Sequence, residues 1–356
     1  MSRTFSIIET MNNYIIVNAT AIDCSGALSI LQQFVENIPM DSRKWLLFVS
    51  PAVSISSTNP NVRIEPINGV KSMFKRLWWD AFGLKKWLKR HEIEPVASVS
   101  LQNTGFNVGK KVPSFIYYHQ PLPFYPYRWN PLKKQERTFW VYKNIYPFFV
   151  KLFLRKNSKI FVQLEFIKDG FSKKFKHPKE LINVYSPEVY LNCAKSTGNE
   201  FNDIKELIYP AMPYFYKNHI VIEDALKFSD EKFEIIFTID SDSLENKDRR
   251  IKYIGTQSYQ TICNLYQTCD ALLFPSYIET YGLPLLEAAL TGLPIVAADL
   301  PYAREVLSGY EGVTFVKYND PQKWAKALEC IKKGQRYKPI DISSRSGWSE
   351  LFKSIK

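Results

Sequence analysis

The sequence has few cysteines and no long apolar run. Its five cysteines are odd in number and include no Cys-x-x-Cys pair, which argues against a disulfide framework and predicts a reducing compartment. The densest apolar stretch, residues 146–154, is shorter than the roughly 18 residues of a membrane-spanning helix and carries Lys151. The N-terminus lacks the basic and then apolar pattern of a signal peptide. We therefore expect a cytoplasmic protein that does not cross a membrane.

Low-complexity sequence is absent too, whereas aromatic residues (15%) and positive charge are abundant. A length of 356 residues fits two domains of ordinary size. Residues 1–185 carry 27 Lys and Arg against 12 Asp and Glu, a net charge of +15, whereas residues 186–356 carry 20 against 23, a net charge of −3. This asymmetry predicts that only one domain contacts an anionic surface or ligand.

Short apolar strands alternate with helical patterns in both halves of the chain, as in parallel α/β sheets. The predicted strands are residues 14–18, 45–50, 114–118, 207–209, 233–239, 271–274 and 295–298. The predicted helices are residues 27–38, 219–228 and 284–292. The pattern predicts an N-terminal domain over residues 1–185, a C-terminal domain over 186–335, and a tail over 336–356 that packs back on the first domain.

The stretch 275–288 carries the densest set of chemical signals in the sequence. Glu279 follows a predicted parallel strand, where the ligands of such sheets bind. Gly282 and Leu283 precede Pro284 at a helix start, so their N–H groups and the helix dipole favour an anion such as a diphosphate. Glu287, about one turn inside the helix, has a carboxylate suited to a ribose diol. Two carboxylates beside a phosphate site predict a bound sugar nucleotide.

Residues 270–305 resemble the signature of the retaining family 4 glycosyltransferases, which have the GT-B fold. The match comprises Glu279, seven intervening residues and Glu287, followed by Asp299 and Arg304-Glu305. The resemblance implies two Rossmann-like α/β domains that face each other across a cleft and transfer a sugar with retention, without a metal ion or other cofactor. It also implies a catalytic role for Glu279 and donor contacts by Thr280, Tyr281, Gly282, Leu283 and Glu287.

Weaker similarities extend over most of the chain. Ser25 and Gly26 resemble the glycine loop that lies against the phosphates and the acceptor, and His119 resembles a catalytic histidine that faces the transferred sugar. Lys217 resembles a lysine that contacts the diphosphate, and Thr256 lies in a loop that resembles the one beside the nucleobase. Two features depart from the family: the first loop has one glycine instead of the common pair, and no arginine shortly precedes the lysine.

The sequence Asp240-Ser-Asp242 has the Asp-x-Asp pattern with which another glycosyltransferase fold binds a divalent metal. Two aspartates are too few for a closed shell of oxygen ligands. A solvated turn is therefore favoured here, and no metal site is expected.

Residues 74–90 form a strongly amphipathic and basic segment. One stripe is predicted to pack on the sheet: Phe74, Leu77, Trp78, Ala81, Leu84 and Leu88. Aromatic rings among basic side chains favour an anionic bilayer surface, so membrane contact is predicted on the flank, at Lys75, Trp79, Lys86, Lys89 and Arg90. The alternative is an ordinary domain helix with a solvated basic face.

The leading hypothesis is a retaining hexosyltransferase, peripheral on the inner face of the cytoplasmic membrane, that acts in O-antigen, capsule or lipopolysaccharide-core assembly. Its expected partners are a nucleotide-sugar donor, a glycan or lipid-linked acceptor and an anionic membrane surface, with no nucleic acid. A protein that binds nucleic acid or another anionic polymer would explain the basic N-terminal half but not the glutamate pair. A sugar-nucleotide epimerase of the same fold would need an acid/base set that the sequence does not reveal.

Overall fold

The structure is a computed structural model that describes residues 13–23, 25–70, 72–189, 191, 204–243 and 248–355. The chain forms two compact units: Met1–Glu188 together with Arg345–Lys356, and Val189–Ser344. Cys24, Cys193 and the side chain of Ser25 lie outside the described residues. Within the described ranges, every helix is too short or too polar to span a bilayer.

The first unit is built on a parallel sheet whose apolar strands are buried by helices on both faces. Its strands are β1 (Asn13–Ala19), β2 (Trp45–Val49), β3 (Val62–Pro66), β4 (Glu94–Ser100), β5 (Ser114–Tyr117), β6 (Lys159–Val162) and β7 (Ile182–Val184). Its helices include α1 (Ser25–Glu36), α2 (Met73–Trp78), α3 (Leu84–Arg90), α4 (Lys134–Asn144), α5 (Tyr146–Phe153) and α6 (Glu165–Phe175). The strand order is β3-β2-β1-β4-β5-β6-β7.

The second unit repeats this architecture. Its strands are β8 (Lys205–Tyr209), β9 (Phe233–Phe237), β10 (Ile251–Tyr253), β11 (Ala271–Phe274), β12 (Ile295–Ala298) and β13 (Val313–Val316). Its helices include α7 (His219–Leu226), α8 (Tyr259–Thr268), α9 (Leu283–Leu290), α10 (Pro301–Val306) and α11 (Pro321–Glu329). The strands are parallel, in the order β10-β9-β8-β11-β12-β13.

Both sheets reverse their strand order at one point. The reversal lies between β1 and β4 in the first unit and between β8 and β11 in the second. Ligands of open parallel sheets bind at the carboxyl ends of the strands beside such a point, because the loops diverge there. The loops after β8 and β11, and those after β1 and β4, are therefore the places where functional side chains are expected.

Helix α12 (Trp348–Ser354) completes the core of the first unit, although it follows the second unit in sequence. Trp348 and Phe352 are each 2% exposed. The ring of Trp348 stacks on Tyr117 with centroids 5.6 Å apart, and the ring of Phe352 lies 5.5 Å from that of Trp45. The side chain of Gln33 on α1 also accepts a hydrogen bond from Nε1 of Trp348 at 3.0 Å.

Residues 336–344 pack on the second unit, which corrects the predicted start of the tail. The N–H of Tyr337 donates to the carbonyl of Gly292 at 2.8 Å, and the N–H of Ile340 donates to that of Ala289 at 3.1 Å. These bonds fasten the segment to the end of α9. Of the predicted tail, only the residues from Arg345 onward belong to the first unit.

The amphipathic segment is not α-helical throughout. A π-helical turn, Trp79–Gly83, separates α2 from α3 and shifts the face that each residue presents. Trp79 is 6% exposed and packs on Phe48, whereas Phe74 and Trp78 are 77% and 54% exposed. The prediction that Trp79 contacts a membrane is therefore wrong, as is the prediction that Phe74 and Trp78 are core residues.

Candidate functional site

A largely buried ion pair joins the two loops at the switch point of the second unit. Lys217 lies in the loop that follows β8, and Glu279 lies in the loop that follows β11. The Nζ atom of Lys217 is 2.5 Å from Oε1 of Glu279, and the side chains are only 17% and 14% exposed. The fold thus brings together two residues that are 62 positions apart in the sequence and that were assigned to the diphosphate and the sugar.

The backbone around Lys217 is held by hydrogen bonds. Its carbonyl accepts a 2.5 Å bond from the hydroxyl of Tyr209, the last residue of β8. Asn218, with a φ of +60°, donates from Nδ2 to the carbonyl of Tyr318 at 2.7 Å. The backbone from which the Lys217 side chain extends is therefore held in place by these hydrogen bonds.

Aromatic side chains precede Lys217. The family 4 glycosyltransferases, which this stretch resembles, often have an arginine at these positions. The rings of Tyr214 and Tyr216 stack with centroids 5.5 Å apart. The Nζ atom of Lys217 lies 5.6 Å from the centre of the Tyr216 ring, within the range of a cation–π contact. The N–H of Tyr277, in the loop after β11, donates to the carbonyl of Tyr216 at 3.0 Å, so the two loops are also joined through their backbones.

Helix α9 begins beside the ion pair, with Gly282 as its N-cap. Gly282 has a φ of +83°, a left-handed conformation that glycine adopts without strain. A Cβ atom at this position would also lie within 3.3–3.5 Å of Leu285, Tyr302 and Phe274. The turn into the helix therefore favours glycine both by conformation and by space.

Pro284 occupies the first turn of α9, where its missing N–H costs no hydrogen bond. Of the other residues predicted around this helix start, Tyr281 is buried and Thr280 and Leu283 are half-buried. A backbone N–H at a helix start can bind an anion even where the side chain is packed, so this burial is compatible with the predicted phosphate site.

Glu287 is 7% exposed and is held by tyrosine hydroxyls from α8. Tyr266 donates to Oε2 of Glu287 at 2.9 Å, and Tyr259 also donates a hydrogen bond to this carboxylate. Burial raises the pKa of Glu287 to about 7, although both hydroxyls act to lower it. This carboxyl group therefore changes its charge near neutral pH.

The loop after β10 leads directly into α8. Gly255 has a φ of +67°, and a Cβ atom there would lie 3.0 Å from Oδ1 of Asp240, so this turn favours glycine. Thr256 is exposed, and α8 begins shortly after it at Tyr259, which bonds to Glu287. The Asp-x-Asp pattern that begins at Asp240 is an exposed turn.

In the first unit, His119 follows β5 and is held by Asn103. The backbone N–H of His119 donates to Oδ1 of Asn103 at 2.6 Å, so the amino group of Asn103 must be its other side-chain atom, Nδ2. This amino group lies 3.3 Å from Nε2 of His119 and can only donate, so Nε2 accepts and the ring proton resides on Nδ1. Burial, followed by the charge of Arg76, lowers the pKa of His119 to about 4. The imidazole is therefore neutral at physiological pH.

The start of α1 contains the predicted phosphate and acceptor loop. Gly26 is exposed in the first turn of this helix, and a Cβ atom there would meet nothing within 4 Å. The protein itself therefore does not require glycine at this position. The role predicted for Ser25 and Gly26 stays a prediction.

A buried polar cluster that the sequence patterns did not reveal lies at the switch point of the first unit. Asp80, Asn18 and Gln102 are 1%, 0% and 2% exposed. Hydrogen bonds of 2.7–3.2 Å join the two amides to the carboxylate. An aspartate inside an amphipathic segment is a signal for such a cluster, but its partners come from distant parts of the sequence.

An exposed basic apolar face covers α2, the π turn and α3. Phe74, Trp78 and Phe82 are 77%, 54% and 58% exposed. The Nζ atom of Lys86 lies 5.6 Å from the centre of the Trp78 ring. We define the basic apolar face by its exposed residues: Phe74, Lys75, Trp78, Phe82, Lys86, Lys89 and Arg90.

Residues 240–344 match a family model described as glycosyl transferases group 1. The matched range includes Glu279, Glu287 and helices α8 to α11. The matched residues make up most of the second unit.

Two curated proteins show the range of sequence similarity. The O-antigen chain mannosyltransferase RfbU of Salmonella typhimurium is 25% identical over 205 residues, which are 54% of this chain and 56% of that protein. The D-inositol 3-phosphate glycosyltransferase of Corynebacterium diphtheriae is 39% identical over 85 residues, which are 23% of this chain and 19% of that protein. The chain thus spans about half the length of the first relative and about a fifth of the second.

Solved structures resemble the chain over most of its length. HepE from Anabaena, in complex with UDP and glucose, has a TM-score of 0.63 at 16% identity and covers 97% of this chain and 98% of its own. WaaG, described as a glycosyltransferase involved in lipopolysaccharide biosynthesis, has a TM-score of 0.61 at 13% identity and covers 88% and 89%. With the two parallel sheets described above, these similarities show the GT-B fold.

Proposed function

We propose that this protein is a retaining hexosyltransferase that moves a hexose from a nucleotide sugar to a lipid-linked oligosaccharide. The ion pair of Lys217 and Glu279 beside the start of α9 carries the proposal. It places a cation suited to a diphosphate next to a carboxylate suited to sugar hydroxyls. The group 1 match, and the UDP and glucose in the HepE structure, support a nucleotide-sugar donor.

Glu287 is proposed to bind the ribose of the donor. A carboxylate offers about four acceptor positions on its two oxygens. Tyr266 and Tyr259 use two of them, which leaves two for the hydroxyls of a ribose diol. The tyrosines hold the carboxylate in one orientation, so little conformational freedom is lost when the ribose binds.

In the proposed reaction, the bond between C1 of the sugar and the diphosphate oxygen breaks while the acceptor oxygen bonds to C1 from the same face. The proton of the acceptor hydroxyl passes to the leaving diphosphate, so no nucleophile from the protein is assigned. Lys217 and the amino end of α9 stabilise the charge that grows on the diphosphate. The resemblance assigns His119, whose imidazole is neutral at physiological pH, to the transferred sugar.

Donor binding is expected to depend on the ionisation of Glu287. Donor hydroxyls hydrogen-bond to the carboxylate, so binding favours the ionised form, and protonation below about pH 7 opposes it. We expect the affinity for the correct donor to fall about tenfold between pH 8 and pH 6. Glu287→Gln is expected to weaken binding about 10- to 100-fold, through the loss of a charged hydrogen-bond partner, and to remove this pH dependence.

A thermal-shift titration tests this expectation with UDP-glucose, GDP-mannose, ADP-glucose and dTDP-glucose at both pH values. Glu329→Gln, at an exposed position, is the matched control and is expected to behave like the unaltered protein. A lack of stabilisation by every donor would contradict the proposal. Epimerisation of a nucleotide sugar without an acceptor would favour the epimerase alternative.

The basic apolar face is proposed to bind the inner face of the cytoplasmic membrane, where a lipid-linked acceptor resides. Three exposed aromatic rings among four basic side chains suit the interfacial region of an anionic bilayer. The names of RfbU and WaaG, which refer to O-antigen and lipopolysaccharide, support an acceptor of the surface-polysaccharide class.

Substitution of the exposed aromatic residues is expected to abolish most membrane binding. The triple variant Phe74→Ser, Trp78→Ser and Phe82→Ser removes apolar contacts worth on the order of 1 kcal/mol or more each, so binding should fall at least about tenfold. Sedimentation with vesicles of phosphatidylglycerol and phosphatidylcholine measures this loss. Phe228→Ser, at a position 51% exposed on the second unit, is the matched control. If the triple variant bound vesicles as well as the unaltered protein, the basic apolar face would be excluded as the membrane-binding surface.

A further inference from the structure

Asp80 is the centre of a hydrogen-bond network at the switch point of the first unit. Its Oδ1 accepts bonds from Nδ2 of Asn18 at 2.7 Å and from Nε2 of Gln102 at 3.1 Å. Its Oδ2 lies 3.2 Å from the same Gln102 nitrogen and 3.8 Å from Nε of Arg76. The carboxylate thereby directs the amino groups of both amides toward itself.

The opposite ends of these amides hold the loop after β1. Oε1 of Gln102 accepts from the N–H of Ala21 at 3.1 Å, and Oδ1 of Asn18 accepts from the hydroxyl of Thr20 at 2.9 Å. This loop leads to the start of α1, where the acceptor and phosphate contacts were predicted. If either amide turned over, its oxygen would face the Asp80 carboxylate, which can only accept.

The same network supports His119. Gln102 is followed directly by Asn103, which binds both the backbone and the ring of His119. Arg76 donates to the carbonyl of Gln102 at 2.9 Å and fixes this loop from a second side. Hydrogen bonds therefore link Asp80 to two predicted parts of the reaction site, the loop after β1 and His119. Asp80 itself is not predicted to touch the substrate.

We propose that Asp80 is a positioning residue for sugar transfer: its carboxylate orients Asn18 and Gln102, and through them the loop after β1 and the Asn103–His119 pair. This inference rests on the proposed role of His119. It assigns a function to a buried acid that the proposed reaction does not otherwise use.

The ionised form of Asp80 is the one that orients Asn18 and Gln102. The groups that face it are Arg76 from α2, Asn18 from β1 and Gln102 from the loop after β4, and the Tyr146 hydroxyl on α5 donates to the Gln102 carbonyl. Burial raises the pKa of Asp80 to about 6 against the opposing effects of Arg76 and the two amides. Protonation below this pH removes an acceptor from the network, so kcat is expected to fall as the pH drops through 6.

The variant Asp80→Asn tests the proposal. Its oxygen can still accept from an amide, but its amino group faces the amino group of Gln102 and the guanidinium of Arg76, both of which only donate. We expect kcat for hydrolysis of UDP-glucose or GDP-mannose, whichever stabilises the protein, to fall about 10- to 100-fold. KM for the donor should change less than about twofold, because most of the proposed donor contacts, including Lys217, Glu279 and Glu287, lie in the second unit. The acidic limb of the pH profile near 6 should disappear.

Two further variants separate the possible outcomes. Gln102→Met keeps the side-chain length but removes the amide, and it should reproduce the loss of kcat. Asp169→Asn, at a position 63% exposed in the same unit, is the matched control and should not. Normal kcat in both Asp80→Asn and Gln102→Met, or an unchanged acidic limb, would overturn the proposal. If His119→Ala alone had normal kcat, the proposed role of His119 would fail instead.

Discussion

Replacement of Lys217 with alanine is expected to lower kcat/KM for sugar transfer by about 100- to 1,000-fold, the usual effect of removing one preorganised charge contact to a transition state. Its amine lies next to Glu279 at the switch point, on a backbone held by Tyr209 and Asn218. The aromatic residues before it provide no second positive charge. The growing charge on the diphosphate would then be stabilised mainly by the amino end of α9.

Steady-state release of the nucleotide diphosphate measures this effect. Lys227→Ala is the matched control, because Lys227 is an exposed lysine of the same unit that pairs with Asp224. Glu279→Gln should also reduce kcat, and a double-mutant cycle of Lys217 and Glu279 should show strong coupling, since each variant leaves its partner without the ion pair. A loss of less than about fivefold in Lys217→Ala would contradict a role in catalysis.

Replacement of Trp348 with alanine is expected to destabilise the first unit by about 3–5 kcal/mol, the usual cost of truncating a buried tryptophan. The ring of Trp348 stacks on Tyr117 and lies 5.9 Å from that of Phe34, and its Nε1 donates to Gln33. The substitution would leave a cavity and remove this hydrogen bond.

Urea unfolding with limited proteolysis, read by mass spectrometry, measures the loss and identifies the unit that opens first. Lys353→Ala, whose side chain is 74% exposed on the same helix, should change the free energy of unfolding by less than about 0.5 kcal/mol. Equal stability of Trp348→Ala and the unaltered protein would show that α12 is not part of this core.

The second unit was the more predictable from its sequence. Strands β11 and β12 have the predicted bounds, because each is a short apolar run between clear turn signals. Gly282 and Pro284 likewise mark the start of α9 by local conformational preferences. The GT-B fold was confirmed, while the roles assigned to individual site residues stay predictions.

The first unit shows what the sequence could not reveal. The π turn reverses the exposure expected for Trp78 and Trp79, because one irregular turn changes the face of every residue around it. Asp80 and Gln102 meet only after the sheet has formed, so no local pattern links them. The pairing of Lys217 with Glu279 is nonlocal too, but its residues could be located through the resemblance.

The position of α12 in the sequence has a consequence for biosynthesis. The ribosome completes the whole of Val189–Ser344 before it makes this helix. Until then, Phe34 and Trp45 in the nascent first unit lack the ring of Phe352, which packs on both of them. The second unit is continuous in sequence and can fold first, so chaperones that bind apolar segments should associate with the earlier-made half for longer.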